Sequence, residues 1–231
     1  MEVDKRSIEA KTLHSGEYVE LLSSFPPDRV ARIVDRIDIP PDAHVGDFGC
    51  GTGVLLHVLG DRPGRYTGID FSEDFIAAAK RWATSSNCQN YNFVEAEIVD
   101  FCRRHPTNFD VATALDFTEH VATEIAQQIL AAIRTSLRPG GRLYLHTPNL
   151  DFFIERAKHI GMLTQFPEHI AVRNASQMRD LLEQSGFDRR HIEIEPIPHY
   201  NVLRVLHPLS GIPVVGRFFQ ARLLVTATVP K

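Results

Sequence analysis

Val45-Gly46-Asp47-Phe48-Gly49-Cys50-Gly51-Thr52-Gly53-Val54-Leu55-Leu56 reads as a strand that runs into a glycine-packed turn and out into a helix. Glycine admits positive φ and lets a ligand approach the backbone with no Cβ in the way. A second strand-like run, Tyr66-Thr67-Gly68-Ile69, ends at Asp70. An acid in that place can accept both hydroxyls of a ribose. The pair of segments predicts a site for an adenosine-containing cofactor.

Glycine spacing narrows the choice. A dinucleotide fingerprint needs Gly-x-Gly-x-x-Gly. Its third glycine falls on Val54 in one frame and on Leu56 in the other, so neither frame fits. No Gly-Lys-Ser/Thr follows the turn, which excludes a Walker loop. What remains is Asp-x-Gly-x-Gly-x-Gly at Asp47, Gly49, Gly51 and Gly53. Three further segments follow in order: Phe93-Val94-Glu95-Ala96-Glu97-Ile98, then Phe109 to Val121 ending in Asp116-Phe117-Thr118-Glu119-His120-Val121, then Leu137-Arg138-Pro139-Gly140-Gly141.

Together the four segments resemble the class I S-adenosylmethionine-dependent methyltransferases, in particular the ubiquinone-biosynthesis O-methyltransferase group. The likeness is close over about residues 43–149 and looser beyond. It implies an α/β fold: a doubly wound, mostly parallel, seven-stranded Rossmann-like sheet with an antiparallel last strand and helices on both faces. The implied cofactor is S-adenosyl-L-methionine, with S-adenosyl-L-homocysteine as product. The cofactor-binding set carried over is Asp47, Phe48, Gly49, Cys50, Gly51, Gly53, Asp70, Phe71, Glu97, Ile98, Ala114 and Leu115. Asp70 would take the ribose and Glu97 the adenine amino group. Gly46 departs from the pattern, standing where a bulky apolar residue usually precedes the acid. That predicts weaker strand propensity and packing there.

Composition fits a single domain over residues 1–231. The chain is 43% hydrophobic and 23% charged with a formal net charge of −4, an ordinary globular balance. An acidic balance argues against a nucleic-acid partner. The Arg103-Arg104 and Arg189-Arg190 pairs read as solvated surface. Three cysteines with no Cys-x-x-Cys spacing give no disulfide framework and suggest a reducing, cytoplasmic setting. The charged start Met1-Glu2-Val3-Asp4-Lys5-Arg6 is not a signal peptide, and no run reaches membrane-spanning length.

Residues 1–42 read as a helical lead-in, with Val19, Leu21-Leu22 and then Val30, Ile33-Val34 and Ile37 at helical spacing. Strands are predicted at about 44–48, 91–95, 109–114, 192–195 and 223–229, with Pro139-Gly140-Gly141 turning into strand five. Ser72 caps a helix that continues to about Thr84. Ile125, Ile129, Ile133 and Leu137 predict one buried helix face. Asn174 with Gln177 opens a helix that Gly186 closes. Residues 43–149 form the cofactor-binding half; 148–170 and 196–221 read as inserted lid or substrate segments. Gly49, Asp70, Glu97, Asp116 and His146 should share the rim at the carboxyl ends of the strands.

Methyl transfer to a hydroxyl needs a base as well as alignment. Of the eleven histidines, His169 is the first candidate base and His120 the second. Asp116 is the candidate to orient the acceptor or touch the cofactor amine. His14, His44, His57, His105, His159 and His191 read as peripheral. The Asn/Asp-Pro-Pro-Tyr/Phe signature of amino-group methylation is absent after strand four. A metal-assisted, catechol-type reaction would need several oxygen ligands, and no matching acid set accompanies Asp116, so no metal is expected. The acceptor predicted is a small molecule of aromatic, sugar or lipid-linked type, methylated at oxygen, and the protein a monomer or homodimer. Two rival readings stand: a non-catalytic cofactor-binding sensor or partner subunit, and a protein or RNA methyltransferase.

Overall fold

A computed structural model describes residues 27–166 and 168–231. The helix expected around Val19 to Leu22 lies outside the described residues. The lead-in is seen as α1, Asp28–Val34, whose Val30, Ile33 and Val34 are buried.

Seven strands form one sheet: β1 His44–Phe48, β2 Arg65–Asp70, β3 Tyr91–Glu95, β4 Phe109–Leu115, β5 Leu137–Pro148, β6 Ile192–Ile197 and β7 Arg222–Thr228, in the order β3-β2-β1-β4-β5-β7-β6. β1 to β5 pair in parallel. β7 is antiparallel to both of its neighbours, β5 and β6. The order reverses between β1 and β4, and ligands of open α/β sheets bind beyond the strand ends at such a switch point.

Helices cover both faces. On one, α1, α2 (Val54–Leu59) and α3 (Glu73–Ser85) build an apolar core with Leu56, Ile76 and Ala79 at its centre. On the other, α4 (Ile98–Arg104), α5 (Thr123–Ser136) and α7 (Ala175–Gln184) pack Phe101, Leu130 and Leu181 on the sheet. Ser72 caps α3 by accepting from the Phe75 N–H. Asn174 and Gln177 form a reciprocal capping box on α7.

Four expectations need correction. On α5 the buried residues are Ala126, Leu130 and Ile133, while Ile125 is 45% exposed. Steps of four residues drift around a helix of 3.6 residues per turn, so a strict i+4 series leaves the core face. At Gly46 there is no packing deficit: a Cβ would lie 2.9 Å from the buried Phe109 ring, which occupies the space a larger residue would take. The Pro139-Gly140-Gly141 segment lies within β5 as an irregularity, between the Phe109–Leu137 and Val111–Arg142 pairings, with Gly140 at φ 81°. His44 is likewise not peripheral. It is buried, with its ring nitrogens against Thr67 Oγ1 and the Asn108 carbonyl.

The inserted segments contain α6, Phe153–His159, and 3-10 turns at Val202–Gly211 and Gly216–Phe219. Several of their apolar side chains face out, among them Met162, Phe166, Val202 and Val214. Among the described residues no helix is long and apolar enough to cross a membrane.

Candidate active site

The glycine turn is fastened to the end of β2. The N–H groups of Gly49 and Cys50 both donate to the Ile69 carbonyl, at 2.8 and 3.1 Å. Asp70 accepts from the Gly51 N–H at 3.0 Å and from the Ser72 N–H at 2.9 Å, one bond to each oxygen. Gly49, Gly51 and Gly53 all have positive φ, so side chains there would be strained. At Gly49 a Cβ would strike the Phe117 ring, and at Gly53 it would crowd Phe93 and Ala79. At Gly51 it would meet nothing within 4 Å. The turn therefore has a closed back and an open front, the shape of a cradle for a ligand that lies on the backbone.

Asp47 lies beneath this turn. It is buried, and its oxygens accept from Tyr66 Oη at 2.6 Å and Thr113 Oγ1 at 2.7 Å. Its part is to hold β1, β2 and β4 in register below the cradle. Phe48 is in the core beside it. Ile98 and Ala114 are also buried in the core, so their backbones alone can reach the rim. Cys50 is buried as well, and burial keeps its thiol protonated. Phe71 and Leu115 are half-buried, and Glu97 is exposed just past the end of β3.

Burial pushes the Asp47 carboxyl up to about 6, against the hydrogen bonds from Tyr66 and Thr113. The unfolded value is about 4, so protonation favours the fold. That stabilisation is complete below about pH 4 and is lost as pH rises through about 6. Asp47→Asn is therefore expected to raise the melting temperature of the ligand-free protein by about 5 °C near pH 8 and hardly at all near pH 4. A variant equally stabilised at both pH values would contradict this account.

Asp116 follows β4 in a left-handed conformation, φ 51°, and its N–H donates to the His146 carbonyl at 2.8 Å. Its carboxylate accepts from Arg222 and from His146 Nδ1 at 3.0 Å, and pairs with Arg29 at 2.8 Å. Arg222 Nε also donates to His146 Nε2 at 3.0 Å. An imidazole that accepts at Nε2 carries its proton on Nδ1, so this contact fixes the tautomer. Burial alone would raise the Asp116 carboxyl, but His146, Arg222 and Arg29 hold it well below the ordinary range. Asp116 thus stands at the centre of an ion cluster.

Glu119, His120 and His169 meet beside it. Glu119 is 1% exposed, and burial with the charge of Asp116 pushes its carboxyl up to about 8. Thr147 Oγ1 donates to Glu119 Oε2 at 3.1 Å. His120 Nδ1 meets the Glu168 carbonyl at 3.0 Å, which makes Nε2 its lone-pair nitrogen. The His120 and His169 rings stand edge to face, 5.1 Å apart. Burial, with His120 alongside, brings His169 down to about 4. Its Nδ1 is buried without a hydrogen-bond partner among the described residues. One ligand atom from each of Glu119, His120 and His169 lies within 4.8 Å of the others. Arg173 clamps this region by donating to the carbonyls of Thr118, Val121 and Ala171.

A cavity of about 710 Å³ opens against the ion cluster, with His146 and Arg222 in its wall. α1, the end of β6 and the Val202–Gly211 turn supply the rest. Sequence reading placed Asp116 and His146 on one rim and named His169 and His120 as candidate bases, but it missed Glu119, Arg29 and Arg222 as members of the site. Glu119 had a signal, since it adjoins His120. Arg29 and Arg222 had none, because they lie 87 and 106 residues from Asp116.

A profile of the methyltransferase domain family matches residues 18–192. The chain belongs to this family. Membership agrees with the class I resemblance of the four motif segments and brings S-adenosylmethionine as the family's methyl donor. The ubiquinone biosynthesis O-methyltransferase of Saccharophagus degradans is 32% identical over 134 residues, 58% of this chain and 55% of that protein. That of Idiomarina loihiensis is 32% identical over 135 residues, 58% and 54% of the two chains. The methyltransferase thus spans about half the length of the curated relatives it matches. A SAM-dependent methyltransferase from Archaeoglobus fulgidus shares the fold, with a TM-score of 0.65 at 16% identity, over 97% of this chain and 100% of that one. The [4+2]-cyclase SpnF shares it too, with a TM-score of 0.65 at 18% identity, over 88% and 80%.

Proposed function

We propose that this methyltransferase moves a methyl group from S-adenosylmethionine to a hydroxyl oxygen of a small molecule. The observation that carries the reading is the open-fronted glycine cradle, tied through Gly51 to Asp70, beside a histidine pair at the end of β4. The cofactor supplies an activated sulfonium methyl when bound. The chain's own residues then have three tasks: to hold the adenosine through Asp70, to align the acceptor in line, and to take its proton. His169 is the base, with His120 packed on it. The cavity beside Asp116 supports an enzyme over a non-catalytic binder: Phe152 and Phe153 do not line it, and the 196–221 segment forms part of its wall and leaves it open. The names of the curated relatives support oxygen as the acceptor atom.

The Glu119–His120–His169 trio favours a second reading, in which a divalent cation there holds the acceptor oxygen. One buried carboxyl and two neutral imidazoles are a fitting donor set, and Thr147 and the Glu168 carbonyl orient two of the three ligands from outside.

One set of measurements separates these readings. Calorimetric titration should show S-adenosylmethionine and S-adenosylhomocysteine binding, with NAD and ATP failing to bind. Preference for NAD or ATP would sink the proposal. With a phenol or catechol that the enzyme turns over, His169→Ala should lower kcat by about 100-fold or more and leave S-adenosylhomocysteine affinity unchanged. Loss of wild-type turnover on chelation, restored by Mg²⁺ or Mn²⁺, would select the cation reading; turnover indifferent to chelator would select the base.

A further inference from the structure

We propose that the cavity beside the ion cluster binds an oxyanion, a carboxylate or phosphate, carried on an apolar body, and that this is how the acceptor is recognised. The proposal rests on the methyl-transfer reading and names the acceptor class for it. Five arginines line the cavity: Arg29, Arg32, Arg36, Arg204 and Arg222. The carboxylates set against them are Asp35 in the wall, Asp116 between Arg29 and Arg222, and Glu195 on Arg36. Among the described residues positive charge remains in surplus. Among the described residues Arg204 has no carboxylate partner, and Arg32 donates only to the Tyr200 carbonyl, at 3.2 Å. Guanidinium groups present planar forks of donors that match carboxylate and phosphate oxygens.

A site for water alone would not be built this way. His207 Nδ1, in the same wall, is buried with no hydrogen-bond partner among the described residues. The Tyr200 ring has the Arg29 and Arg222 guanidinium groups 5.6 and 5.3 Å from its centre, which holds both cations in the cavity wall. Ile33, Ile197 and Pro198 give an apolar wall for the rest of a ligand. The volume of about 710 Å³ suits a small molecule and exceeds what a lone inorganic ion needs. His146 and Arg222 belong both to the cavity and to the Asp116 cluster, so an anion held by the arginines lies next to the rim where methyl transfer takes place.

The test uses the whole chain saturated with S-adenosylhomocysteine, titrated with sodium pyrophosphate and with benzoate, and compared with Arg32→Gln/Arg204→Gln. Both substituted residues are exposed, so the variant should fold. At least one anion is expected to bind the wild type below about 1 mM, and about tenfold or more weaker in the variant. High salt should weaken it further. Pyrophosphate the tighter identifies a phosphate-bearing acceptor; benzoate the tighter, a carboxylate. No binding of either by about 10 mM, or equal affinity in the variant, overturns the inference. S-adenosylhomocysteine binding without anion binding removes this inference alone. Anion binding without S-adenosylhomocysteine binding removes the methyl-transfer reading and leaves the cavity assignment.

Discussion

Asp70→Ala is expected to weaken S-adenosylhomocysteine binding by about 100-fold or more, equivalent to about 2.7 kcal/mol. Two losses combine. The ribose hydroxyls lose an anionic acceptor, and hydrogen bonds to charged groups contribute about 1.5–3 kcal/mol each. The Gly51 and Ser72 N–H groups also lose the carboxylate that sets the cradle's shape. Asp70→Asn keeps one of the two acceptor oxygens and loses the charge, so it should fall between the wild type and the alanine variant. Calorimetry measures the affinity, and circular dichroism melting of the ligand-free protein reports the fold. Unchanged affinity in Asp70→Ala would remove Asp70 from the ribose site. A large fall in melting temperature with affinity intact would leave it a purely structural residue.

The largest effect on stability is expected at Asp116. Its carboxylate holds Arg222, His146 and Arg29 together at the end of β4. Removing one member of a buried ion pair leaves an uncompensated charge and costs about 3–5 kcal/mol. Asp116→Asn isolates that term, because asparagine tolerates the left-handed backbone that alanine does not. It should lower the melting temperature by about 10 °C for a chain of this size. Adding Arg222→Met should recover much of the loss, since an apolar replacement of a whole buried pair is often close to neutral. Additive losses in the double variant would show that Asp116 and Arg222 do not depend on one another.

The sheet and the cradle were legible because their signals are local. Glycine spacing at Gly49, Gly51 and Gly53 and an acid at the end of the next strand lie within 22 residues, and each strand carries its own apolar run. The Ser72 cap and the Asn174–Gln177 box are legible for the same reason. The inward turn of Asp47 was not, since its partners Tyr66 and Thr113 come from two other strands. Nor was the filling of the space at Gly46, which depends on a phenylalanine from β4. Asp116 and His146 were legible on one rim, but the two arginines of the ion cluster and the arginine-lined cavity were hidden. Asp116 and His146 meet through the β4–β5 pairing, but Arg29 comes from α1 and Arg222 arrives only because strand order carries β7 back beside β5. Sequence offers no period or spacing for such a meeting.

That return of β7 has a consequence for how the molecule is made. A ribosome delivers β6 before β7, yet β6 pairs with the sheet through β7 alone. Until residues 222–228 emerge, Ile192–Ile197 has no strand to join, and unpaired edges are where nascent chains go astray. Arg222 is the first residue of that late strand. Closing the sheet and completing the ion cluster around Asp116 are therefore one event, and it waits for β7. A chain interrupted before it would carry a finished glycine cradle with no finished ion cluster at the end of β4.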